Sequence, residues 1–81
     1  MQDTIKKEDV TKWLERMNDV LDKMETFDSR GEEMLSNIKA YVSDSKHFLD
    51  KGNLVLSFEC MVHAFAIFET CKELGVLEVR R

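Results

Sequence analysis

The sequence FLDKGNLVL, residues 48–56, contains the turn between two helices. Gly52 suits the left-handed backbone conformation that follows a helix end, and Asn53 is a favoured cap for the start of the next helix. Because so short a connection makes neighbouring helices antiparallel, these residues predict a helical hairpin. We expect its helices at about residues 30–51 and 54–74.

A third helix is predicted before this hairpin. Apolar residues recur there at three- and four-residue steps, at Val10, Trp13, Leu14, Met17, Val20, Leu21, Met24 and Phe27. This spacing favours a helix at about residues 4–27. The chain is therefore predicted to be all-α, a single helical domain over residues 1–81, folded as an antiparallel up-and-down three-helix bundle.

Capping residues support these boundaries. Asp3 or Thr4 could cap the first helix, and Ser29 with Glu32 fits a capping box at the start of the second. Gly75 is expected to end the third helix, with Val76 packing back on its last turn. The tail at residues 76–81 is too short for a prediction of its own.

The third predicted helix is more apolar than two neighbouring helices can cover. At 100° per residue its non-polar arc is roughly 250–280° wide. An exposed apolar surface of this kind usually marks a contact site, most simply a twofold homodimer or a partner helix. The expected interface residues are Leu56, Phe58, Cys60, Ala64, Phe65 and Ile67. The alternative is that the first two helices and the tail cover this arc within one subunit.

Composition narrows the possible functions. The chain has 43% hydrophobic and 35% charged residues, a globular balance, and its net charge of −4 disfavours nucleic-acid binding. The N-terminus lacks the apolar core of a signal peptide, and the apolar stretch at residues 54–68 is too short to span a bilayer. We therefore expect a cytoplasmic protein with reduced cysteines and no membrane association.

No residue set amounts to a catalytic, cofactor or metal site, and no small-molecule substrate is evident. Cys60 and His63 lie three positions apart, but structural zinc usually requires four ligands in paired spacings. We interpret Cys60 and Cys71 as small core residues. Across the hairpin, Lys46 is expected to contact Glu59, and Tyr41 to hydrogen bond with His63.

Residues 41–53, YVSDSKHFLDKGN, together with Ala64-Phe65-Ala66 and Leu74-Gly75-Val76-Leu77, follow a recognisable pattern. It consists of an aromatic and a small residue, Phe-Leu, a charged residue, Lys-Gly-Asn, an apolar helix with alanines, and Leu-Gly. Over residues 41–77 the chain resembles an archaeal family of uncharacterised small proteins, catalogued as domain of unknown function 357. The resemblance implies an up-and-down three-helix bundle and an archaeal cytoplasm, and it brings no assigned activity.

A looser likeness is to helical domains of nucleotide-binding proteins, some of which are RNases. Their site requires an arginine, a polar residue and a histidine close together in one helix, whereas Arg16 and Arg30 have no histidine nearby. The leading hypothesis is therefore a non-enzymatic protein-interaction module that self-associates through helix three. The alternative is an accessory helical domain acting on RNA or nucleotides.

Overall fold

Three helices make up most of the computed structural model, which describes residues 5–80. The elements in chain order are α1 (Lys7–Leu21), β1 (Met24–Thr26), α2 (Ser29–Asp50), α3 (Leu54–Leu74) and β2 (Leu77–Val79). The predicted antiparallel up-and-down helical bundle is confirmed, with a small two-stranded sheet added to it.

The α2–α3 hairpin forms the most extensive contact between elements, and its turn has the predicted chemistry. Gly52 has a φ of +79°, and the Asn53 amide donates to the Phe48 carbonyl at 2.9 Å. The Asn53 side chain then accepts a hydrogen bond from the Leu56 amide at 3.1 Å. The hairpin geometry therefore follows from local capping interactions.

The end of α3 is also as predicted. Gly75 has a φ of +75°, its amide donates to the Lys72 carbonyl at 3.2 Å, and the Val76 amide donates to the Cys71 carbonyl at 3.1 Å. These two bonds are those of a Schellman motif, which satisfies carbonyls that the helix itself leaves free.

The prediction that the first helix extends over residues 4–27 is wrong at its C-terminal end. Helix α1 stops at Leu21, and Met24–Thr26 instead pairs antiparallel with Leu77–Val79, with Thr26 opposite Leu77. The Arg80 amide extends the pairing by donating to the Lys23 carbonyl at 2.7 Å. Hydrogen bonds to the distant tail thus replace the last turns of the expected helix.

The expected caps of the first two helices also differ from the structure. Asp28, not a Ser29–Glu32 capping box, caps α2: its carboxylate accepts from the Gly31 amide at 2.9 Å. Helix α1 follows Lys6, which makes no side-chain capping bond. The predicted caps Asp3 and Thr4 lie outside the described residues.

The core lies between the three helices and beneath β1 and β2. Its buried apolar residues are Val10, Leu14, Met17, Met24, Ile38, Val42, Leu49, Met61, Ala64, Phe68, Cys71 and Leu77. Two serines are buried with them where α2 and α3 meet. The Ser45 hydroxyl donates to the Ser57 carbonyl at 2.8 Å, and the Ser57 hydroxyl donates to the Ser45 carbonyl at 2.6 Å. This reciprocal pair satisfies both hydroxyls while it joins the two helices side by side.

Candidate interaction surface

Helix α3 turns only one face toward the core. Its buried residues follow each other at three- and four-residue steps, at Ser57, Met61, Ala64, Phe68 and Cys71. At 100° per residue this face spans only about 80°, although apolar residues occupy most of the circumference. Apolar side chains on both flanks of the core face are therefore left in contact with solvent.

The larger exposed surface lies on the flank of α3 beside α1. Trp13, Val55, Phe58 and Val62 are each between 37% and 57% exposed. Trp13 packs edge-to-face on the half-buried Phe65, with ring centroids 5.6 Å apart, and this contact joins the α1 and α3 parts of the surface. We call these five residues the Val62 patch.

A positive charge borders the patch at its α1 edge. The Arg16 guanidinium carbon lies 5.2 Å from the centroid of the Trp13 ring, within cation–π range. The indole therefore lies beneath a cation and makes a perpendicular ring contact with Phe65. This arrangement holds Trp13 in place while leaving much of the side chain accessible.

The other flank of α3 faces α2 and has a different character. Leu56 is exposed, whereas Cys60 and Ile67 are half-buried. Burial, followed by the negative charges of Asp44 and Glu59, raises the pKa of the Cys60 thiol. This flank therefore holds a protonated, weakly nucleophilic thiol rather than an activated one.

Polar residues separate the two flanks, and their contacts differ from those expected. His63 stacks on Tyr41, with ring centroids 5.3 Å apart and an interplanar angle of 26°, instead of hydrogen bonding to it. Lys46 pairs with Asp50 in the next turn of α2, at 3.3 Å, and not with Glu59. Asp50 lies four residues after Lys46 on the same face of α2, so the lysine side chain pairs with it without extending across to α3.

The six residues predicted for the interface do not form one surface. Ala64 is fully buried in the core, so its assignment to an exposed interface is wrong. Leu56, Cys60 and Ile67 lie on the α2 flank, whereas Phe58 and Phe65 belong to the Val62 patch. The prediction omitted Val55 and Val62, which extend the Phe58 strip at helical spacing. Their hydropathy was visible in the sequence, but nothing local indicated which arc would face the core.

The described part of the chain gives little basis for metal chemistry. Within residues 5–80, no three His, Cys, Asp or Glu side chains are grouped so that they could hold a metal ion. The two cysteines there are free thiols, Cys71 in the core and Cys60 half-buried. What the α3 surface offers chemically is apolar contact area.

Helix α3, Leu54–Leu74, is longer than the apolar stretch at residues 54–68 that is too short to span a bilayer. Its 21 residues are long and apolar enough to cross a membrane by length and composition alone, and 28% of the most apolar window is buried within the protein. Core helices of soluble proteins often have the same composition, so this is weak evidence for a membrane span. In this structure, α3 supplies five buried residues to the core.

Comparison with known proteins places these features in a family. The sequence model of the family described as "Protein of unknown function (DUF357)" matches residues 10–77. The crystal structure of protein AF1782 from Archaeoglobus fulgidus, assigned to the same family model, has a TM-score of 0.81 to this chain. The two share 41% sequence identity over 90% of this chain and 91% of that one. No curated protein matches the chain.

Proposed function

The chain belongs to the DUF357 family of proteins of unknown function, and for this member we propose a non-enzymatic role as an interaction module that pairs with a second copy of itself. The proposed contact is the Val62 patch. One observation carries the proposal: four large apolar side chains on adjoining faces of α1 and α3 are 37–57% exposed. Exposed apolar surface that is contiguous, rather than scattered, is typical of contact sites.

The size of the patch is compatible with pairing. With side-chain surfaces of roughly 150–250 Å² each, these exposed fractions leave on the order of 350 Å² of apolar area in solvent. A twofold contact buries about twice that area. Its polar rim would bring the total toward the roughly 1,000 Å² that a specific interface requires.

The charges along α3 favour an antiparallel arrangement of the two copies. The exposed patch residues Val55, Phe58 and Val62 lie in its N-terminal half, and at 100° per residue Glu69 and Glu73 continue the same side toward the C-terminus. For a twofold axis at Val62, counting residues along the helix places Glu73 at the level of Lys51 of the partner, in the turn before the positive end of the partner's α3. A parallel arrangement would bring the two copies of Glu73 together.

Light scattering coupled to size-exclusion chromatography tests the proposal. The wild-type chain is expected to have twice the chain mass at high micromolar concentration, and Val62→Glu to have the mass of one chain while keeping its helical circular dichroism. Leu56→Glu is the matched control, because it introduces the same charge at an exposed leucine on the opposite flank. A wild-type mass of one chain would refute self-association.

A charge exchange tests the orientation. Glu73→Lys should weaken the dimer, and adding Lys51→Glu should restore it, because the attractive pair is then re-formed with reversed signs. If both single and double variants weaken the dimer equally, the antiparallel arrangement is wrong even though the patch is used.

The other hypothesis from the sequence, an accessory domain acting on RNA or nucleotides, has no specific contact in its favour. It stays a prediction. Its direct check is the melting temperature with RNA or nucleotides at low salt, where binding would raise the value.

A further inference from the structure

An apolar groove, separate from the Val62 patch, lies between the start of α2 and the end of α3. It is an open groove of about 460 Å³, lined by Arg30, Met34, Ala66, Ile67, Thr70, Cys71, Leu74 and Val76. It borders the Val62 patch only near Ala66. We call this concavity the Arg30 groove.

The walls of the Arg30 groove are apolar and adaptable. Ile67 and Val76 are half-buried in it, and Leu74 remains 72% exposed at its edge. Met34 adds a flexible, polarisable side chain that can follow the shape of a ligand. From Ala66 to Leu74 the groove follows α3 for roughly 12 Å, at 1.5 Å per residue.

One end of the groove carries a positive charge without an ionic partner. The ion pairs formed within residues 5–80 join Lys46 to Asp50 and Lys72 to Glu69, and Arg30 belongs to neither. The carboxylate of Asp28 accepts a hydrogen bond from the Gly31 amide and forms no ion pair with Arg30 within the described residues. Arg30 lies in the first turn of α2 together with Glu32, at the positive end of the helix dipole.

We propose that the Arg30 groove binds a fatty carboxylate, with the hydrocarbon chain against Ile67 and Leu74 and the head group on Arg30. A guanidinium presents two parallel donors that match the two oxygens of a carboxylate. The volume of the groove, about 460 Å³, is within the range of small-molecule sites, which combine apolar walls with few polar groups. The Thr70 hydroxyl is the second polar group that lines the groove.

Titration with decanoate, below its micelle concentration and followed by amide NMR shifts, tests this inference. The shifts should concentrate at residues 30–34 and 66–76. Arg30→Gln should bind decanoate about tenfold more weakly, because it removes a charge-assisted hydrogen bond. Lys39→Gln, which removes an exposed charge elsewhere on α2, should bind as the wild type does.

The uncharged analogue 1-decanol separates recognition of the head group from general apolar binding. We expect the wild type to bind decanol about tenfold more weakly than decanoate, and Arg30→Gln to bind the two alike. Equal binding of decanol and decanoate by the wild type would overturn the inference. So would shifts centred on Trp13, because they would place the ligand on the Val62 patch.

This inference is independent of self-association. The Val62→Glu variant should bind decanoate with wild-type affinity whatever its mass, since Val62 does not line the groove. Absence of decanoate shifts in both proteins would remove the ligand site and leave the dimer proposal standing.

Discussion

Replacing Gly31 with alanine adds a methyl group where the chain after α3 passes over the start of α2. A Cβ atom at this position would collide with the Val76 carbonyl oxygen and lie 3.2 Å from the Thr26 Cβ. The Val76 carbonyl cannot easily turn away, because it is backbone between the Schellman motif and β2. A glycine-to-alanine change in a helix ordinarily stabilises a protein, because alanine is the better helix former. At Gly31 we expect the change to destabilise it.

The size of the effect follows from two opposing contributions. Forcing an extra methyl group into a packed site costs about 1–3 kcal/mol, and a backbone neighbour places this site in the upper part of that range. The higher helix propensity of alanine offsets about 1 kcal/mol of this cost. We therefore expect Gly31→Ala to lower the free energy of unfolding by about 1–2 kcal/mol, which corresponds to a fall in Tm of roughly 5–15 °C for a domain of this size.

Thermal and denaturant unfolding followed by far-ultraviolet circular dichroism measures this change. Ser36→Ala is the control: it is exposed on the same helix and should be neutral or slightly stabilising. Hydrogen exchange should additionally show faster exchange of the β2 amides in Gly31→Ala. A variant as stable as the wild type would show that β2 does not approach α2 this closely in solution.

Two further predictions concern buried or half-buried polar groups. Ser45→Ala and Ser57→Ala should each lower the free energy of unfolding by about 1 kcal/mol, and the double variant by less than the sum, because the two hydroxyl oxygens also lie 3.1 Å apart and each change removes the other's neighbour; strict additivity in urea unfolding would mean that only the bonds to main-chain carbonyls, which alanine keeps, contribute. In a Cys71→Ala background, Cys60 should react with iodoacetamide more slowly than free cysteine near pH 8, because its raised pKa lowers the thiolate fraction. The same raised pKa links the free energy of unfolding to pH: the contribution of the protonated Cys60 thiol is present below the pKa of the unfolded thiol and is lost as the pH rises through the pKa of the folded one, so unfolding should become easier in that alkaline range. An alkylation rate equal to that of free cysteine would argue against the environment described for the thiol.

Much of the α2–α3 hairpin could be predicted because its signals are local. Gly52, Asn53 and Gly75 act through backbone conformations and hydrogen bonds that span at most six residues. Any fold that contains these helices would use the same residues in the same way. The helical class and the antiparallel order of α2 and α3 therefore required no knowledge of tertiary contacts.

The candidate site could be predicted only in part. An apolar excess on α3 was evident from the sequence, and Phe58 and Phe65 do lie in the Val62 patch. Ala64 does not, because a helix that is apolar around most of its circumference has no hydrophobic stripe to indicate its buried face. The buried face is the one that carries Ser57, which pairs with Ser45, and this burial depends on two helices at once.

By itself, the sequence determined that the chain forms helices, where α2 and α3 are separated, and that α3 carries more apolar surface than a core helix needs. Tertiary structure alone decided where α1 ends and which α3 residues face solvent. Residues Met24–Thr26 lack their partner strand until Leu77–Val79 is brought beside them, some fifty residues later in the chain. Capping and helix propensity act between near neighbours, whereas strand pairing and burial depend on residues that only the folded chain brings together.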